Sequence, residues 1–392
     1  MLDRLTAQPP DALLALIKMY AEDSRADKID LGVGVYRTDE GATPVFAAIK
    51  GAERQLLDTQ DSKSYLGPEG DPGFVHALKP YVFGSDATRG GRIAGMQTPG
   101  GTGAVRLALA LAKQAGAQRV HMGVPSWPNH AQIAHDLDLE IVAFDHALPD
   151  GSANVDAATS AIADANTGDA VLLHACCHNP TGVDYTPDQW DAIADAFAAS
   201  AALPIIDSAY QGLGEGMEED AYGLRRIADT VDQALFCYSC DKNFGLYRDR
   251  VGALYVLAKS LDDLPAIMSN ANALARANWS MPPDHGGAAV RMLLRDTELT
   301  AQWREELEAM RQRLRWVRET LALSDNQVPA LHLTRLATQN GMFAILPLEK
   351  AQIDALREEH AVYMAGSGRI NVAGLTTGNI ERFVEALADV TA

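Results

Sequence analysis

The middle of this 392-residue chain alternates short β-rich runs with stretches typical of helices. Such alternation favours a mostly parallel sheet with helices on both faces. In open sheets of this kind, ligands bind beyond the carboxyl ends of the strands. The helix candidates include Thr102–Ala115 and Pro187–Ala199. The strand candidates are Gln118–Gly123, Glu140–Asp145, Ala170–Ala175, Pro204–Asp207, Ala234–Tyr238 and Val251–Leu257.

The pattern changes near Thr297, and the remainder predicts a smaller α+β domain that the segment Lys28–Val45 is expected to join. We predict an N-terminal arm at 1–12, a small domain from 13–42 and 297–392, and a large domain at 43–296. The elements expected after residue 297 are helices at Gln302–Leu323, Ala351–His360 and from Thr377, and strands at Met342–Leu346, Ala361–Met364 and Arg369–Val372.

The charge balance narrows the choice of partner. Asp and Glu outnumber Lys and Arg by 52 to 33, which gives a net charge of −19 and disfavours nucleic acid or an anionic membrane. No uninterrupted apolar run approaches the roughly 20 residues of a membrane span. The N-terminal run Met1–Leu5 lacks the apolar core of a secretion signal. The cytoplasm is therefore the expected compartment.

Four cysteines, in the pairs Cys176-Cys177 and Cys237-x-x-Cys240, raise the question of a zinc site. Both pairs lie on or beside predicted strands, where neighbouring side chains point to opposite faces. Cys176 and Cys177 are therefore not expected to serve one metal. We predict buried free thiols and no metal.

The run Ser239-Cys240-Asp241-Lys242-Asn243-Phe244-Gly245 carries the most specific chemistry. A lysine at the end of an apolar strand, with a hydroxyl and an arginine nearby, suits an imine to a phosphate-bearing aldehyde. Ser239 and Arg250 could bind the phosphate, the arginine through two donors in a fixed fork. A surface ion pair between Lys242 and Asp241 is the alternative interpretation.

Four other motifs could line a cofactor pocket, although each also has a structural explanation. The glycine-rich run Gln97–Gly103 precedes a helix and suits an anion, or forms a tight turn. Asp207 ends a buried strand, where it needs a cation such as a protonated pyridine nitrogen, or caps the next segment. Tyr210 could donate to a phenolate oxygen. Trp127 offers a flat face for an aromatic ligand, or it belongs to the core. Asn179, which precedes a proline, either points its amide into a cleft or forms a turn.

Together these motifs resemble the class I pyridoxal-phosphate aminotransferases, in particular the aspartate and aromatic amino acid aminotransferase group. The resemblance implies fold type I, with a seven-stranded, mostly parallel sheet between helices in a large domain and a smaller α+β domain. It runs from about Leu31 to Gly374. The segments that carry it are Leu31–Tyr36, Tyr65–Gly70, Gly100–Gly103, Ser126–His130, Cys176–Gly182, Ala209–Gly212, Lys242–Gly245, Arg276–Asn278 and Ser367–Arg369.

The resemblance assigns roles to individual residues. It implies that Lys242, Asp207 and Tyr210 are catalytic, and that Lys242 forms the internal aldimine with pyridoxal 5′-phosphate. Asp207 would pair with the pyridine nitrogen, with His130 and His174 behind it. The other cofactor-binding residues implied are Gly101, Thr102, Trp127, Asn179, Ser239 and Arg250, and Tyr65 from the neighbouring subunit. The substrate-binding residues implied are Gly34, Trp127, Asn179, Arg369 and, from the neighbour, Arg276.

The same resemblance predicts the reaction. Arg369 would bind the substrate α-carboxylate and Arg276 the distal carboxylate of a dicarboxylic substrate. We expect ping-pong transamination between an L-amino acid, aspartate first, and a 2-oxo acid such as 2-oxoglutarate or oxaloacetate. Aromatic amino acids are the second expectation. Glyoxylate as acceptor, a lyase or decarboxylase, and a cofactor-binding protein without catalysis are alternatives. A homodimer with shared active sites is expected, with the N-terminal arm reaching across.

Several positions depart from the family or vary within it. Asp241 stands where a hydroxyl residue usually precedes the lysine. It either raises the pKa of the lysine or weakens cofactor binding, or it turns away to pair with an arginine. Met281 replaces a small polar residue and makes that wall more apolar, which favours aromatic substrates. Arg37 adds positive charge, which favours acidic ones. Ser64 also lies where members vary with substrate.

Overall fold

The computed structural model describes residues 2–7, 12–84 and 89–392. Two compact units form, one from Met1–Thr43 with Arg313–Ala392 and the other from Pro44–Gln312. The domain bounds predicted from the sequence stay predictions, and the predicted arm at 1–12 includes residues 1 and 8–11, which lie outside the described residues. Among the described helices, none has both the length and the apolar character needed to cross a membrane.

The described residues form thirteen α-helices and eleven strands. The helices are α1 (Ala12–Glu22), α2 (Ala47–Thr59), α3 (Pro72–Phe83), α4 (Gly100–Gln114), α5 (Pro128–Asp136), α6 (Val155–Asp164), α7 (Pro187–Ala198), α8 (Tyr222–Thr230), α9 (Leu264–Asn278), α10 (His285–Arg295), α11 (Thr297–Leu323), α12 (Lys350–Glu358) and α13 (Ile380–Thr391). The strands are β1 (Ile29–Asp30), β2 (Ile93–Pro99), β3 (Arg119–Val124), β4 (Glu140–Asp145), β5 (Ala170–His174), β6 (Leu203–Ser208), β7 (Ala234–Ser239), β8 (Val251–Leu257), β9 (Phe343–Ile345), β10 (Val362–Tyr363) and β11 (Arg369–Asn371).

The larger unit is built on a seven-stranded sheet in the order β2-β8-β7-β6-β5-β3-β4. Strand β8 runs antiparallel to both of its neighbours, and the other neighbouring pairs are parallel. Every residue of β7 and of β8 is buried, which explains why both read as continuous apolar runs. The predicted mostly parallel sheet is confirmed.

Helix α4 packs against this sheet and begins where strand β2 ends. Its run of glycine, alanine and leucine leaves eleven buried residues, and the helix packs on β7 and β8. Gly100, the first residue, has a φ of 70°, a value that side chains disfavour. The sharp entry from β2 therefore depends on glycine.

Most predicted elements fall within a residue or two of the observed ones, and strands β4 and β8 match their predicted bounds. Strand β2 was not predicted. It reads Ile-Ala-Gly-Met-Gln-Thr-Pro, and the glycine within it and the proline at its end interrupt the apolar pattern that would indicate a strand. It forms because β8 supplies an antiparallel partner along its whole length.

The smaller unit contains two short strand pairs, β1 with β10 in parallel and β9 with β11 antiparallel. Arg318 is only 2% exposed and donates to the carbonyl oxygens of Gly341 and Phe343, which fixes the start of β9. Asn371 donates from Nδ2 to the carbonyl oxygens of Val33 and Val35. These bonds hold the loop that contains Gly34 beside β11.

Candidate active site

Most of the polar residues singled out in the larger unit lie at one edge of its sheet. The parallel strands β3, β5, β6 and β7 end there, and the antiparallel β8 begins there. Helix α4 also begins at this edge, because β2 runs parallel to β7. The residues at or just beyond these ends are Gly101, Thr102, Ser126, Trp127, His174, Asn179, Asp207, Tyr210, Ser239, Asp241, Lys242 and Arg250.

Asp207 lies at the centre of this edge, paired in register with His174 of β5 and Cys237 of β7. Its carboxylate is 6% exposed, and Oδ2 lies 2.9 Å from Nε2 of His130. Oδ1 has no hydrogen-bond partner among the described residues. A buried acceptor without a donor is costly, so this oxygen fits a ligand that brings an N–H group.

The hydrogen bonds behind Asp207 have one consistent direction. The backbone N–H of Asn179 donates to Nδ1 of His174 at 3.4 Å, so a neutral His174 carries its proton on Nε2. That Nε2 lies 3.1 Å from the hydroxyl of Ser126, which in turn lies 3.0 Å from Nδ1 of His130. The Nε2–H of His130 then donates to Asp207.

Burial keeps His174, the histidine farther from Asp207 in this series of hydrogen bonds, in its neutral form. It lowers the pKa of His174 well below the usual histidine value, and the neighbouring His130 and His146 rings act in the same direction. His130 is only 1% exposed. Asp207 therefore accepts a hydrogen bond from a histidine that is itself held in place, and its other oxygen is open to a cationic ligand.

Lys242 lies in the turn after β7 and is half-buried. Its Nζ is 5.2 Å from the centre of the Tyr210 ring. Burial lowers the pKa of the Lys242 amine, against the opposing effects of Asp241 and Asp207. The lower pKa increases the fraction of neutral amine, the form that can attack an aldehyde or accept a proton. The amide of Asn179 donates to the Tyr210 hydroxyl at 3.5 Å.

The first turn of α4 and the end of β7 approach each other closely. A Cβ placed on Gly101 would lie 2.9 Å from Cβ of Ser239, so glycine is required there. Ser239 is 1% exposed, and its Oγ accepts from the backbone N–H of Asp241 at 3.2 Å. Free N–H groups at a helix start and a serine hydroxyl are suited to an anion such as phosphate.

Asp241 and Arg250 form an ion pair beside this helix start. Arg250 donates from Nη1 to Oδ2 of Asp241 and also, at 3.1 Å, to the carbonyl oxygen of Tyr247. A Cβ placed on Gly100 would lie 2.5 Å from Nη2 of Arg250 and 3.2 Å from Oδ2 of Asp241. Asp241 thus pairs with an arginine, as one of the two alternatives predicted, but it does so beside the start of α4 and with the arginine predicted to bind phosphate.

Three other predicted site residues of the larger unit are Trp127, Tyr65 and Arg276. The half-buried Trp127 packs edge-on against His130, with ring centres 5.1 Å apart. Tyr65 is 93% exposed. Arg276, at the end of α9, is exposed and donates to the hydroxyl of Ser280, and within the described residues no carboxylate pairs with it.

In the smaller unit, Gly34 and Arg369 both lie against Phe343. The Arg369 guanidinium is 4.8 Å from the centre of the Phe343 ring and donates to the carbonyl oxygen of Gly32 at 2.8 Å. A Cβ placed on Gly34 would lie 2.9 Å from Cζ of Phe343. Arg37 forms an ion pair with Asp30, so its positive charge is balanced within its own unit.

The cysteines are buried free thiols, as predicted. The expectation that Cys176 and Cys177 point apart was wrong, because β5 ends at His174 and Cys177 adopts a left-handed φ of 50°. Their sulfur atoms and a carboxylate oxygen of Asp220 lie within 4.8 Å of one another. Asp220 accepts three backbone N–H bonds, and burial raises the pKa of the Cys177 thiol well above its usual value.

Two residues in this description were not among the predicted site residues. Ser126 links the two histidines behind Asp207, and Phe343 supports Arg369 and Gly34. Ser126 lies four residues before His130 at a strand end, a spacing that could have indicated the link. Phe343 lies in a short apolar strand with no signal that sets it apart from core.

The residues at the strand ends of this α/β sheet are suited to an aldehyde cofactor with a ring nitrogen and an anionic group. The family described as "Aminotransferase class I and II" matches residues 26–387. The chain belongs to this family.

Named relatives agree with that assignment. The chain is 48% identical to the tyrosine aminotransferase of Rhizobium meliloti (strain 1021) over 378 residues, which cover 96% of this chain and 97% of that protein. It is 39% identical over 395 residues to the aspartate aminotransferase of Escherichia coli (strain K12), with both chains fully covered. The fold matches the aromatic-amino-acid aminotransferase of Burkholderia pseudomallei, covalently bound to pyridoxal phosphate, with a TM-score of 0.96, 34% identity and full coverage of both chains.

The chain is therefore a pyridoxal-phosphate-dependent aminotransferase of fold type I. The unpartnered, buried Oδ1 of Asp207 and the glycine-lined start of α4 fit the ring nitrogen and the phosphate of that cofactor.

Proposed function

We propose that this aminotransferase works at Lys242 and moves amino groups between aspartate or an aromatic amino acid and a dicarboxylic 2-oxo acid, such as 2-oxoglutarate or oxaloacetate. The observation that carries the site is the placement of Lys242 and Tyr210 beside Asp207, whose free oxygen faces no protein donor among the described residues. Bound pyridoxal phosphate supplies an aldehyde and an electron-withdrawing ring.

Most of these residues would hold the cofactor, and Lys242 would transfer protons. Asp207 would hold the ring nitrogen in its protonated form, while Asn179 and Tyr210 would donate to the ring hydroxyl oxygen. Gly101, Thr102 and Ser239 would bind the phosphate, together with Arg250. The ring face would pack on Trp127. The Nζ of Lys242 would take the proton from the substrate Cα and later return one.

Arg369 and Arg276 would bind the two ends of a dicarboxylic substrate. Phe343 and the carbonyl of Gly32 hold Arg369 in place, and its planar guanidinium fork suits an α-carboxylate. The exposed Arg276 has no carboxylate partner among the described residues, so its charge is available for a distal carboxylate. The sequence favoured aspartate first, and relatives named for tyrosine and aromatic amino acids give aromatic donors equal support.

The first experiment records the absorption spectrum of the purified protein during single half-reactions with aspartate and with phenylalanine. We expect the visible cofactor band to convert to the near-ultraviolet amine form with both donors. In the Arg276→Ala variant, the aspartate half-reaction should slow by about 10- to 100-fold in kcat/KM, the effect of a lost charged hydrogen bond. The phenylalanine half-reaction should change by less than about threefold.

Arg315→Ala, which removes an exposed arginine of α11, is the matched control and should leave both half-reactions unchanged. Failure of aspartate, 2-oxoglutarate and oxaloacetate to react would rule out this substrate assignment. Product analysis separates the alternatives, because a lyase releases ammonia with pyruvate and a decarboxylase releases carbon dioxide with alanine.

We further propose a homodimer in which Tyr65 and Arg276 serve the neighbouring subunit, in keeping with their exposure. Mixing Lys242→Ala and Arg276→Ala subunits tests this, because only a mixed dimer contains one intact site. Random mixing should restore about a quarter of the wild-type aspartate activity. No recovery after subunit exchange, with exchange itself verified, would show that each chain forms its site alone. The cytoplasmic location stays a prediction.

A further inference from the structure

The pocket proposed to hold the cofactor phosphate contains a carboxylate of its own. Asp241 is 3% exposed, and its Oδ2 accepts from Arg250 beside the start of α4. Its other oxygen, Oδ1, has no hydrogen-bond partner among the described residues. The arginine expected to neutralise a phosphate is therefore already paired with a buried anion.

Like charges that share one cation in a site of low dielectric cannot both remain fully ionised, and one of them binds a proton. A phosphate monoester has its second pKa near 6, so above pH 7 it arrives as a dianion. Asp241 offers an unpartnered oxygen that can carry a proton and donate it to a phosphate oxygen. A hydroxyl residue at this position could donate without taking up a proton.

We propose that Asp241 couples cofactor binding to the uptake of one proton, which the carboxyl group and the cofactor phosphate share beside Arg250. The inference rests on the proposed role of this pocket in cofactor binding. No covalent bond changes in this step. A dianionic phosphate and an ionised carboxyl group gain one proton from solvent, so cofactor affinity decreases as pH rises through the pKa of the shared proton.

The groups around Asp241 are consistent with this coupling. Among the described residues, the charged groups that face it are Lys242 and Arg250. The thiol of Cys240 is a titratable neighbour, and α4 and β8 contribute the backbone at Gly100 and Val251. Burial raises the pKa of the Asp241 carboxyl group, while Lys242 and Arg250 lower it. The carboxyl group thus starts closer to accepting a proton than an exposed aspartate does.

The test compares pyridoxal phosphate with pyridoxal, which lacks the phosphate. Both form the same link to Lys242, so the ratio of their dissociation constants cancels the titration of the lysine. For protein freed of cofactor, we expect the ratio of the pyridoxal to the pyridoxal phosphate constant to fall about three- to tenfold per pH unit between pH 7 and 9. Absorbance titration gives both constants without measuring turnover.

The Asp241→Asn and Asp241→Ser variants should bind pyridoxal phosphate more tightly at pH 9, and their ratio should change by less than about twofold over the same range. Asp249→Asn removes a carboxylate next to Arg250 in sequence and should keep the wild-type slope. If either Asp241 variant does not fold, the phosphorus NMR shift of the wild-type holoenzyme still decides, because a shared proton makes it titrate with pH.

A flat ratio in the wild-type protein, or a slope that persists in both Asp241 variants, would overturn the coupling while leaving the aminotransferase site intact. Failure of the wild-type protein to bind either compound would remove both this inference and the proposed site. The two failures are therefore distinguishable in a single set of titrations.

Discussion

Two buried aspartates in the larger unit, Asp207 and Asp241, have the same side chain and different partners. Each has one oxygen in a hydrogen bond and one without a partner among the described residues. Asp207 accepts from an imidazole N–H of His130, whereas Asp241 accepts from the cationic Arg250. Asp207 therefore has an unpartnered oxygen to offer to a cation, whereas Asp241 already occupies a cation that an anion would otherwise use.

The comparison shows that burial alone does not define the role of a carboxylate. The hydrogen-bond partner of the carboxylate also matters. A carboxylate beside a histidine can attract a cationic ligand, whereas one paired with an arginine competes with an anionic ligand for that arginine. Replacing either aspartate with asparagine should consequently have opposite effects, a loss of catalysis at residue 207 and a gain of phosphate affinity at residue 241.

The largest effect should come from Asp207→Asn. An amide cannot offer net negative charge to a ring nitrogen, so kcat/KM should fall by about 10²- to 10³-fold in a steady-state assay of 2-oxo acid formation. Asp145→Asn, at the exposed end of β4, is the control and should match wild type. A loss below about tenfold would mean that Asp207 is not the partner of the ring nitrogen.

A smaller effect is expected from Arg250→Lys. Lysine keeps the charge but loses the planar fork, so the dissociation constant of pyridoxal phosphate should rise by about tenfold. The dependence on pH should remain, because an ammonium can still pair with Asp241. Arg248→Lys, two residues away and exposed, provides the control in the same titration. An unchanged dissociation constant of pyridoxal phosphate in the Arg250→Lys variant would show that the phosphate does not bind at this arginine.

The smallest effect should follow Ser126→Ala, which interrupts the hydrogen bonds between His174 and His130. One lost hydrogen bond should reduce kcat by about three- to tenfold without changing the amount of bound cofactor. Ser208→Ala is the matched control, because the Ser208 hydroxyl is buried and has no partner among the described residues. Equal losses in the two variants would show that the serine link does not support Asp207.

The sequence was sufficient for most of the sheet, because strands such as β4 and β8 have clear local patterns, and the role of Lys242 as covalent anchor stays a prediction. The partner of Asp241 could not be predicted, since a spacing of nine residues across a hairpin does not fix the direction of a side chain. Here the loop returns through Arg250 with a left-handed φ of 55°, and the two side chains meet. The prediction that Cys176 and Cys177 point apart failed for a similar reason, because Cys177 has a positive φ that strand periodicity does not predict.

The direction of the hydrogen bonds from Asn179 to Asp207 gives this protein an internal reporter. The Nε2 proton of His130 is shielded from water and shared with a carboxylate, so it should exchange slowly and resonate at unusually low field in proton NMR. Its frequency depends on the charge of Asp207, which in turn responds to the protonation of whatever that carboxylate holds. A single resonance, observed without labels or added dyes, can therefore follow each half-reaction from behind the catalytic groups.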